Sequence, residues 1–144
     1  MKYSCEIEIN LPREKVNSLF DNPDNIYKWM HGLQSAKLIS GNAGEAGAKT
    51  EMFFKTSKRE ITMVETITIK NLPDEFTATY EAKGVFNIVK NIFEVIDENT
   101  TKYITEQEFQ FKGFMNLVAF LMPGVFKKES MKYLNDFKKF AEGK

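Results

Sequence analysis

Most of the chain alternates between apolar and polar residues with the period of two that is typical of strands with one buried side. Residues 3–9 show this first, with Tyr3, Cys5, Ile7 and Ile9 on one face and polar residues between them. Further strands are predicted, with turn-forming residues between them, at 33–40, 48–56, 59–70, 75–83, 86–96 and 101–111. Because the connections between successive strands are short, the pattern predicts an antiparallel meander.

Two short helices are predicted between the first and second strands. Pro12 lies near the first turn of the first helix, whose apolar stripe includes Val16 and Phe20. The residues Asp-Asn-Pro at 21–23 end that helix, and a second one over about 24–30 carries Trp29.

The last segment, 113–144, is predicted to be a long amphipathic helix with one break at Met122-Pro123-Gly124. After the break, apolar residues recur at helical spacing and lysines occupy the other side. A sheet of antiparallel strands curls through its twist, so the helix is expected to lie across the concave face and to leave a cavity there. Residues 114–122 are apolar on nearly every side, which favours core packing. The alternative is a lid hinged at Pro123-Gly124.

Composition narrows the class of protein. A chain of 144 residues fits one domain spanning 1–144. Its 20 basic and 20 acidic side chains cancel, which argues against a nucleic-acid binder. The longest apolar run is too short to span a bilayer, and the N-terminus has no signal-peptide core, so we expect a cytoplasmic protein without a membrane span.

The sequence contains few residues suited to metal binding or nucleophilic catalysis. With one histidine and one cysteine far apart, neither a metal site nor a cofactor is predicted. His31 follows the second helix and is interpreted as an exposed loop residue, with a hydrogen-bonding role at a pocket rim or a role as a catalytic base as alternatives. No catalytic residue is assigned, and the sequence does not indicate the oligomeric state.

The order of elements (strand, two small helices, six strands, long helix) resembles the α+β helix-grip fold of the START/Bet v 1-like superfamily (SRPBCC). The likeness is greatest to its bacterial polyketide cyclase/dehydrase and lipid-transport-like branch. It covers the whole chain and rests on Ile9-Asn10-Leu11-Pro12-Arg13-Glu14-Lys15-Val16, Phe20-Asp21-Asn22-Pro23, Trp29, the loop 41–47, Asn71-Leu72-Pro73 and Tyr133-Leu134-Asn135-Asp136-Phe137-Lys138. The resemblance implies a seven-stranded curved sheet around the C-terminal helix. Superfamily members include lipid carriers, cyclases and co-chaperones, so the fold leaves the function open.

Several polar residues interrupt the apolar strand faces. Glu65 lies in the middle of a face with Ile61, Met63, Ile67 and Ile69. A buried carboxylate needs partners, or its pKa rises until it is protonated. Glu65 therefore belongs to an internal hydrogen-bond network, is turned outward by a bulge, orients the polar end of a ligand, or acts as a general base.

The predicted function is binding, and in one version transport, of a small hydrophobic ligand such as a lipid or polyketide-like compound. The polar candidates for the cavity are Glu65, Asn91, Thr105 and Gln107. The apolar and aromatic candidates, each of which could instead fill a core, are Trp29, Met52, Phe54, Met63, Ile67, Tyr80, Phe93, Tyr103, Phe109, Phe126, Tyr133, Leu134 and Phe137. The alternatives are a cyclase/aromatase-type enzyme and a co-chaperone-like interaction module whose own side chains fill the cavity.

Overall fold

The computed structural model describes residues 1–143, which form one seven-stranded antiparallel sheet and four α-helices. The strands are β1 (Lys2–Ile9), β2 (Leu33–Ser40), β3 (Lys49–Lys55), β4 (Glu60–Asn71), β5 (Glu75–Ala82), β6 (Val85–Asp97) and β7 (Thr100–Phe111). The helices are α1 (Arg13–Asp21), α2 (Ile26–Trp29), α3 (Phe114–Leu121) and α4 (Pro123–Ala141), and a 3-10 turn (Pro23–Asn25) precedes α2. The predicted α+β helix-grip architecture is confirmed.

The strand order is β1-β7-β6-β5-β4-β3-β2. Strands β2 to β7 therefore form the predicted meander, and β1 joins it beside β7, with Lys2 opposite Glu108 and Ile9 opposite Thr101. Residues that pair across antiparallel strands have side chains on the same face of the sheet. The apolar residues of β1 therefore lie on the same face of the sheet as the residues that the register places opposite them on β7 and, in turn, on the other strands.

Helix α4 lies on the concave face and is tied to β1. The hydroxyl of Tyr3 donates to the carbonyl oxygen of Phe126 at 2.9 Å and shares a 2.8 Å hydrogen bond with Ser130 Oγ. Leu134 and Phe137 are buried beneath the helix. Because its closest backbone neighbours in the sheet are in β1, α4 covers the β1 side of the concave face most closely.

The break between α3 and α4 falls at Met122, as predicted. Pro123 is the first residue of α4, a position where proline fits because its missing N–H would have no partner within the helix. Among residues 1–143, no helix combines the length and the apolarity needed to cross a membrane.

One strand face differs from its prediction. A bulge in β4 places Ile67 opposite Ala78 but Ile69 opposite Thr77, so Thr68 has no partner in the register. The extra residue turns the following side chain away from the concave face, and Ile69 is 46% exposed. The assignment of Ile69 to the face of Glu65 was therefore wrong, whereas Glu65 itself lies before the bulge.

Candidate functional site

The register defines rows of side chains across the concave face. One row consists of Glu65, Tyr80, Asn87 and Phe109, which are directly opposite one another on β4, β5, β6 and β7. The row containing Asn91 and Thr105 crosses β6 four residues later, which is about 13 Å along the strand. The predicted polar residues therefore share a face, but Glu65 is not adjacent to Asn91.

The end of the concave face under α1 and α2 is a closed aromatic cluster. The ring of Phe20 has its centroid within 6.1 Å of those of Trp29, Phe93, Tyr103 and Phe137. The last four belong to the predicted cavity wall, yet they are all buried and pack on one another. Phe20 was missing from the predicted site because only its place in the apolar stripe of α1 could be read from the sequence.

A hydrogen-bonded pair lies within this cluster. Tyr103 donates its hydroxyl to Asn91 Oδ1 at 2.7 Å, and Asn91 Nδ2 donates to the carbonyl oxygen of Phe76 at 3.1 Å. Burial raises the pKa of Tyr103, so its hydroxyl stays a donor over the physiological range. Since both ends of the Asn91 amide are satisfied, this residue supports the core.

A second polar chain joins β6 and β7. Gln107 Nε2 donates to Thr105 Oγ1 at 2.9 Å, and Asn87 Nδ2 donates to Gln107 Oε1 and to the carbonyl oxygen of Glu108, each at 3.1 Å. Asn87 was not among the predicted site residues, although its alternation with Asn91 placed it on the same face. These side chains therefore serve as hydrogen-bond partners for one another.

Glu65 forms a pair with Tyr80 and keeps one oxygen free. The hydroxyl of Tyr80 donates to Glu65 Oε2 at 2.7 Å, while Glu65 Oε1 has no hydrogen-bond partner within residues 1–143. Burial raises the pKa of Glu65, and the hydrogen bond from Tyr80 partly opposes that rise. Burial, followed by the nearby Glu65 carboxylate, raises the pKa of Tyr80 well above its usual value.

Tyr133 of α4 provides a second unpaired group. Its hydroxyl makes no hydrogen bond to any residue in the described part of the chain, and burial raises its pKa. Glu65, Tyr103 and Tyr133 all add to the raised pKa of Tyr80, which is due first to burial. The concave face and the helix that covers it therefore carry a free acceptor on Glu65 and a free donor on Tyr133.

The side chains around Glu65 are less deeply buried than those of the aromatic cluster. The buried apolar residues form three clusters, centred on Phe137, on Ile67 with Ala78, and on Met52 with Phe54. Tyr80 borders the second and third clusters, and Tyr133 borders the first. Glu65, Met63, Tyr80 and Tyr133 are all only partly buried, so this end of the concave face is accessible.

Phenylalanines form the edge of this region towards α3. Phe126 of α4 lies 5.2 Å from Phe109 and 5.0 Å from Phe111 between ring centroids, and Phe109 also stacks on Tyr3 at 6.0 Å. Leu134 is buried in the Phe137 cluster. The predicted residues Phe109 and Phe126 thus lie together at one margin of the face.

His31 is exposed and lies outside the concave face. It lines an open cleft of about 570 Å³ between α2 and the end of α4, together with Tyr27, Asp136, Lys139 and Phe140. Within residues 1–143, no group of three histidine, cysteine or acidic side chains is placed to hold a metal ion. The interpretation of His31 as an exposed loop residue agrees with its position.

The raised pKa of Glu65 predicts a pH-dependent stability. In the unfolded chain a glutamate has its ordinary pKa of about 4.3. Burial raises the pKa of Glu65 in the folded protein above that value. Between the two values the folded protein holds a proton that the unfolded chain has released, so rising pH favours unfolding. We expect the melting temperature of the wild type to fall relative to that of Glu65→Gln as pH rises through this interval.

The control is Glu45→Gln, because Glu45 lies in the exposed loop between β2 and β3. Its melting temperature should run parallel to that of the wild type from pH 4 to 8. A difference between wild type and Glu65→Gln that is constant over the same range would contradict the burial of an ionisable Glu65.

The fold of the chain is shared with solved structures of very different sequence. No family model matches the chain, and no curated protein is similar to it in sequence. Among solved structures, the Zhui aromatase/cyclase from Streptomyces sp. R1128 has a TM-score of 0.82 at 10% identity, covering 99% of this chain and 93% of that one. Ara h 8.0201 has a TM-score of 0.78 at 15% identity, covering 100% and 99%.

A third structure is a point mutant of norcoclaurine synthase from Thalictrum flavum in complex with a transition-state analogue. It has a TM-score of 0.76 at 8% identity and covers 99% of this chain and 94% of that one. Likeness over nearly the full length at such low identity is a likeness of fold. The chain therefore has the helix-grip fold of the Bet v 1-like superfamily, which confirms at the level of the fold the resemblance seen in its sequence.

Proposed function

We propose that the protein binds a small hydrophobic molecule between α4 and the β4–β5 part of the concave face. Glu65 and Tyr133 form hydrogen bonds with the polar end of this molecule. The observation that carries the proposal is the unpaired state of Glu65 Oε1 and of the Tyr133 hydroxyl within residues 1–143. Hydrogen-bond partners are present for the other polar strand residues of this face, Tyr80, Asn87, Asn91, Tyr103, Thr105 and Gln107, whereas the buried Nε1 atom of Trp29 on α2 has none within residues 1–143. Unpaired polar groups in a partly buried apolar surface are suited to orienting a ligand.

The chemistry of these groups indicates the class of ligand. Glu65 supplies an acceptor and Tyr133 a donor, which together match a hydroxyl, phenol or similar neutral group. A second carboxylate beside Glu65 would be unfavourable, because like charges in a poorly solvated site repel strongly. Apolar contact would come from Met63, Phe109 and Phe126, so a lipid alcohol, an isoprenoid or a polyketide-like ring compound is the expected type.

The solved structures of similar fold support binding more generally. Norcoclaurine synthase holds a transition-state analogue in its structure, and the Streptomyces protein is an aromatase/cyclase. A hydrophobic ligand site on this fold is therefore consistent with these solved structures.

The lone cysteine, Cys5, is free and buried, which suits a reducing compartment such as the cytoplasm.

Enzymatic activity of the cyclase/aromatase type is a second candidate, favoured by one observation. The Tyr80 hydroxyl lies 2.7 Å from a carboxyl group whose pKa is raised by burial, and such a pair can exchange a proton with a bound substrate. In that case Glu65→Gln would abolish turnover and leave binding nearly intact.

An interaction module, in contrast, would require a concave face filled by its own side chains, and the partly buried surroundings of Glu65 favour a ligand instead.

Native mass spectrometry of protein purified from its own host tests the binding function. We expect a co-purifying hydrophobic species, which can then be titrated back onto ligand-free protein. Because hydrogen bonds to charged groups contribute about 1.5–3 kcal/mol, Glu65→Ala should weaken binding by about tenfold or more.

The matched control is Glu45→Ala, whose affinity should equal that of the wild type because Glu45 lies in an exposed loop. The proposal is wrong if no hydrophobic species co-purifies and a panel of lipid alcohols, isoprenoids and aromatic polyketides fails to bind. Equal affinities for wild type and Glu65→Ala would remove Glu65 from the site.

A further inference from the structure

Helix α3 exposes an unusual amount of apolar surface. Phe120 is 82% exposed, Phe114 76%, Leu121 65% and Leu117 51%, and just beyond the helix Met122 is 53% exposed. Single exposed apolar residues are common on proteins, but a contiguous group of large ones marks an interaction site. The group is called the α3 face below and consists of Phe114, Leu117, Phe120, Leu121 and Met122.

The protein itself covers only the opposite side of this helix. Ala119 is buried, and Met115 packs against the β5–β6 turn so closely that a Cβ on Gly84 would lie 3.2 Å from its Cγ atom. Successive helical residues are 100° apart, so Phe114, Leu117 and Leu121 lie along one side of α3 and Met115 and Ala119 along another. The sheet therefore covers one side of a helix that is apolar except for Asn116, and leaves the α3 face without a partner within residues 1–143.

The charged residues next to the α3 face along the chain have one sign. No acidic residue occurs between Glu108 and Glu129, whereas Lys112, Lys127 and Lys128 fall in this interval. All three lysines are exposed, and none forms an ion pair with any residue in the described part of the chain. The apolar surface is thus flanked by unpaired positive charge on both sides in sequence.

We propose that the α3 face docks on an anionic membrane surface. A helix of eight residues is about 12 Å long and cannot span a bilayer, but it can lie in the plane of the interface. Phenylalanine and leucine side chains then enter the boundary between head groups and acyl chains, while the lysines remain at the level of the anionic head groups.

Charge complementarity favours this occupant over a second copy of the chain. In a two-fold dimer the same patch meets itself, so the lysines flanking one α3 face would be brought close to those flanking the other. An anionic lipid surface offers both an apolar layer and the opposite charge. The inference does not depend on the proposed ligand, because docking can be measured with ligand-free protein.

The experiment is co-sedimentation with sucrose-loaded vesicles of phosphatidylcholine, with and without phosphatidylserine. We expect the wild type to bind the vesicles that contain phosphatidylserine and to be released by added salt. Replacing Phe114 and Phe120 with serine should reduce the partition coefficient by about tenfold or more for each residue, since the apolar contact is lost. Lys127→Gln and Lys128→Gln should each reduce it by about fivefold.

The matched control replaces Leu38 and Ile39, which are 49% and 55% exposed on β2, with serine. These residues are as apolar as the α3 face but lie elsewhere, so partition should stay at the wild-type level. Circular dichroism and the melting temperature establish that all variants are folded. Equal loss in the control and in the Phe114/Phe120 variant would contradict a specific docking face.

Three further results would overturn the proposal. The first is the absence of binding to either kind of vesicle. The second is a dimer in light scattering that is dissociated by the serine substitutions at Phe114 and Phe120 while vesicles are not bound, which would assign the α3 face to a second copy. The third is binding that is equal on neutral and anionic vesicles and unaffected by the lysine substitutions.

Discussion

Replacing Phe137 with alanine should lower the free energy of unfolding by about 3–5 kcal/mol, the range for a fully buried phenylalanine. Phe137 is 0% exposed, and its ring centroid lies 5.0 Å from that of Trp29, 5.7 Å from Tyr103 and 5.8 Å from Phe20. Truncation removes these contacts and leaves a cavity that the surrounding rings, held by the sheet and by α1, can fill only in part.

Urea unfolding measures this loss, and Phe120→Ala is the matched control. Phe120 is 82% exposed, so its truncation should change the unfolding free energy by no more than about 0.5 kcal/mol. A loss at Phe137 as small as that at Phe120 would mean that the aromatic cluster is not the closed core described above.

The second large effect is expected at the buried pair of Tyr103 and Asn91. Tyr103→Phe removes the hydroxyl that donates to Asn91 Oδ1 at 2.7 Å and leaves that oxygen buried without a donor. Leaving a buried polar atom unsatisfied destabilises a protein by about 1–3 kcal/mol. Asn91→Leu should have an effect of similar size or larger, because it leaves the Tyr103 hydroxyl without its acceptor and removes the side-chain donor to the carbonyl oxygen of Phe76.

A double-mutant cycle separates the hydrogen bond from the packing. The variant with both substitutions should lose less stability than the sum of the two single losses, by about 0.5–3 kcal/mol, because neither polar partner is then left alone. Strict additivity in urea unfolding would show that the two residues do not interact across β6 and β7.

Alternation along the strands was enough to predict the antiparallel meander and the face on which Glu65 lies. The side chains of a strand alternate regardless of their neighbours, so a period of two can be read from one sequence. The pairing of Glu65 with Tyr80 could not be predicted in the same way. It depends on the register of β4 with β5, and a single bulged residue such as Thr68 exchanges the faces of every later side chain.

The division of the concave face into a closed and an accessible end was also beyond the sequence. Trp29, Phe93, Tyr103 and Phe137 look as suitable for lining a cavity as for filling one. Phe20 decides that these residues fill a core, because α1 places its ring in contact with all four of them. Likewise, the nearly uniform apolar character of α3 favoured core packing, but the sheet covers only one of its sides.

The pairing of β1 with β7 also determines when the protein can fold. Because Lys2 pairs with Glu108 and Ile9 with Thr101, the first of the seven strands to be synthesised has no partner until the other six have been made. Helix α4, which packs on β1, is synthesised later still. Contacts so distant in sequence form slowly, and a strand without its partner can associate with other chains. The sheet can therefore be completed only after β7 has been made, and β1, although synthesised first of the strands, is among the last to be protected.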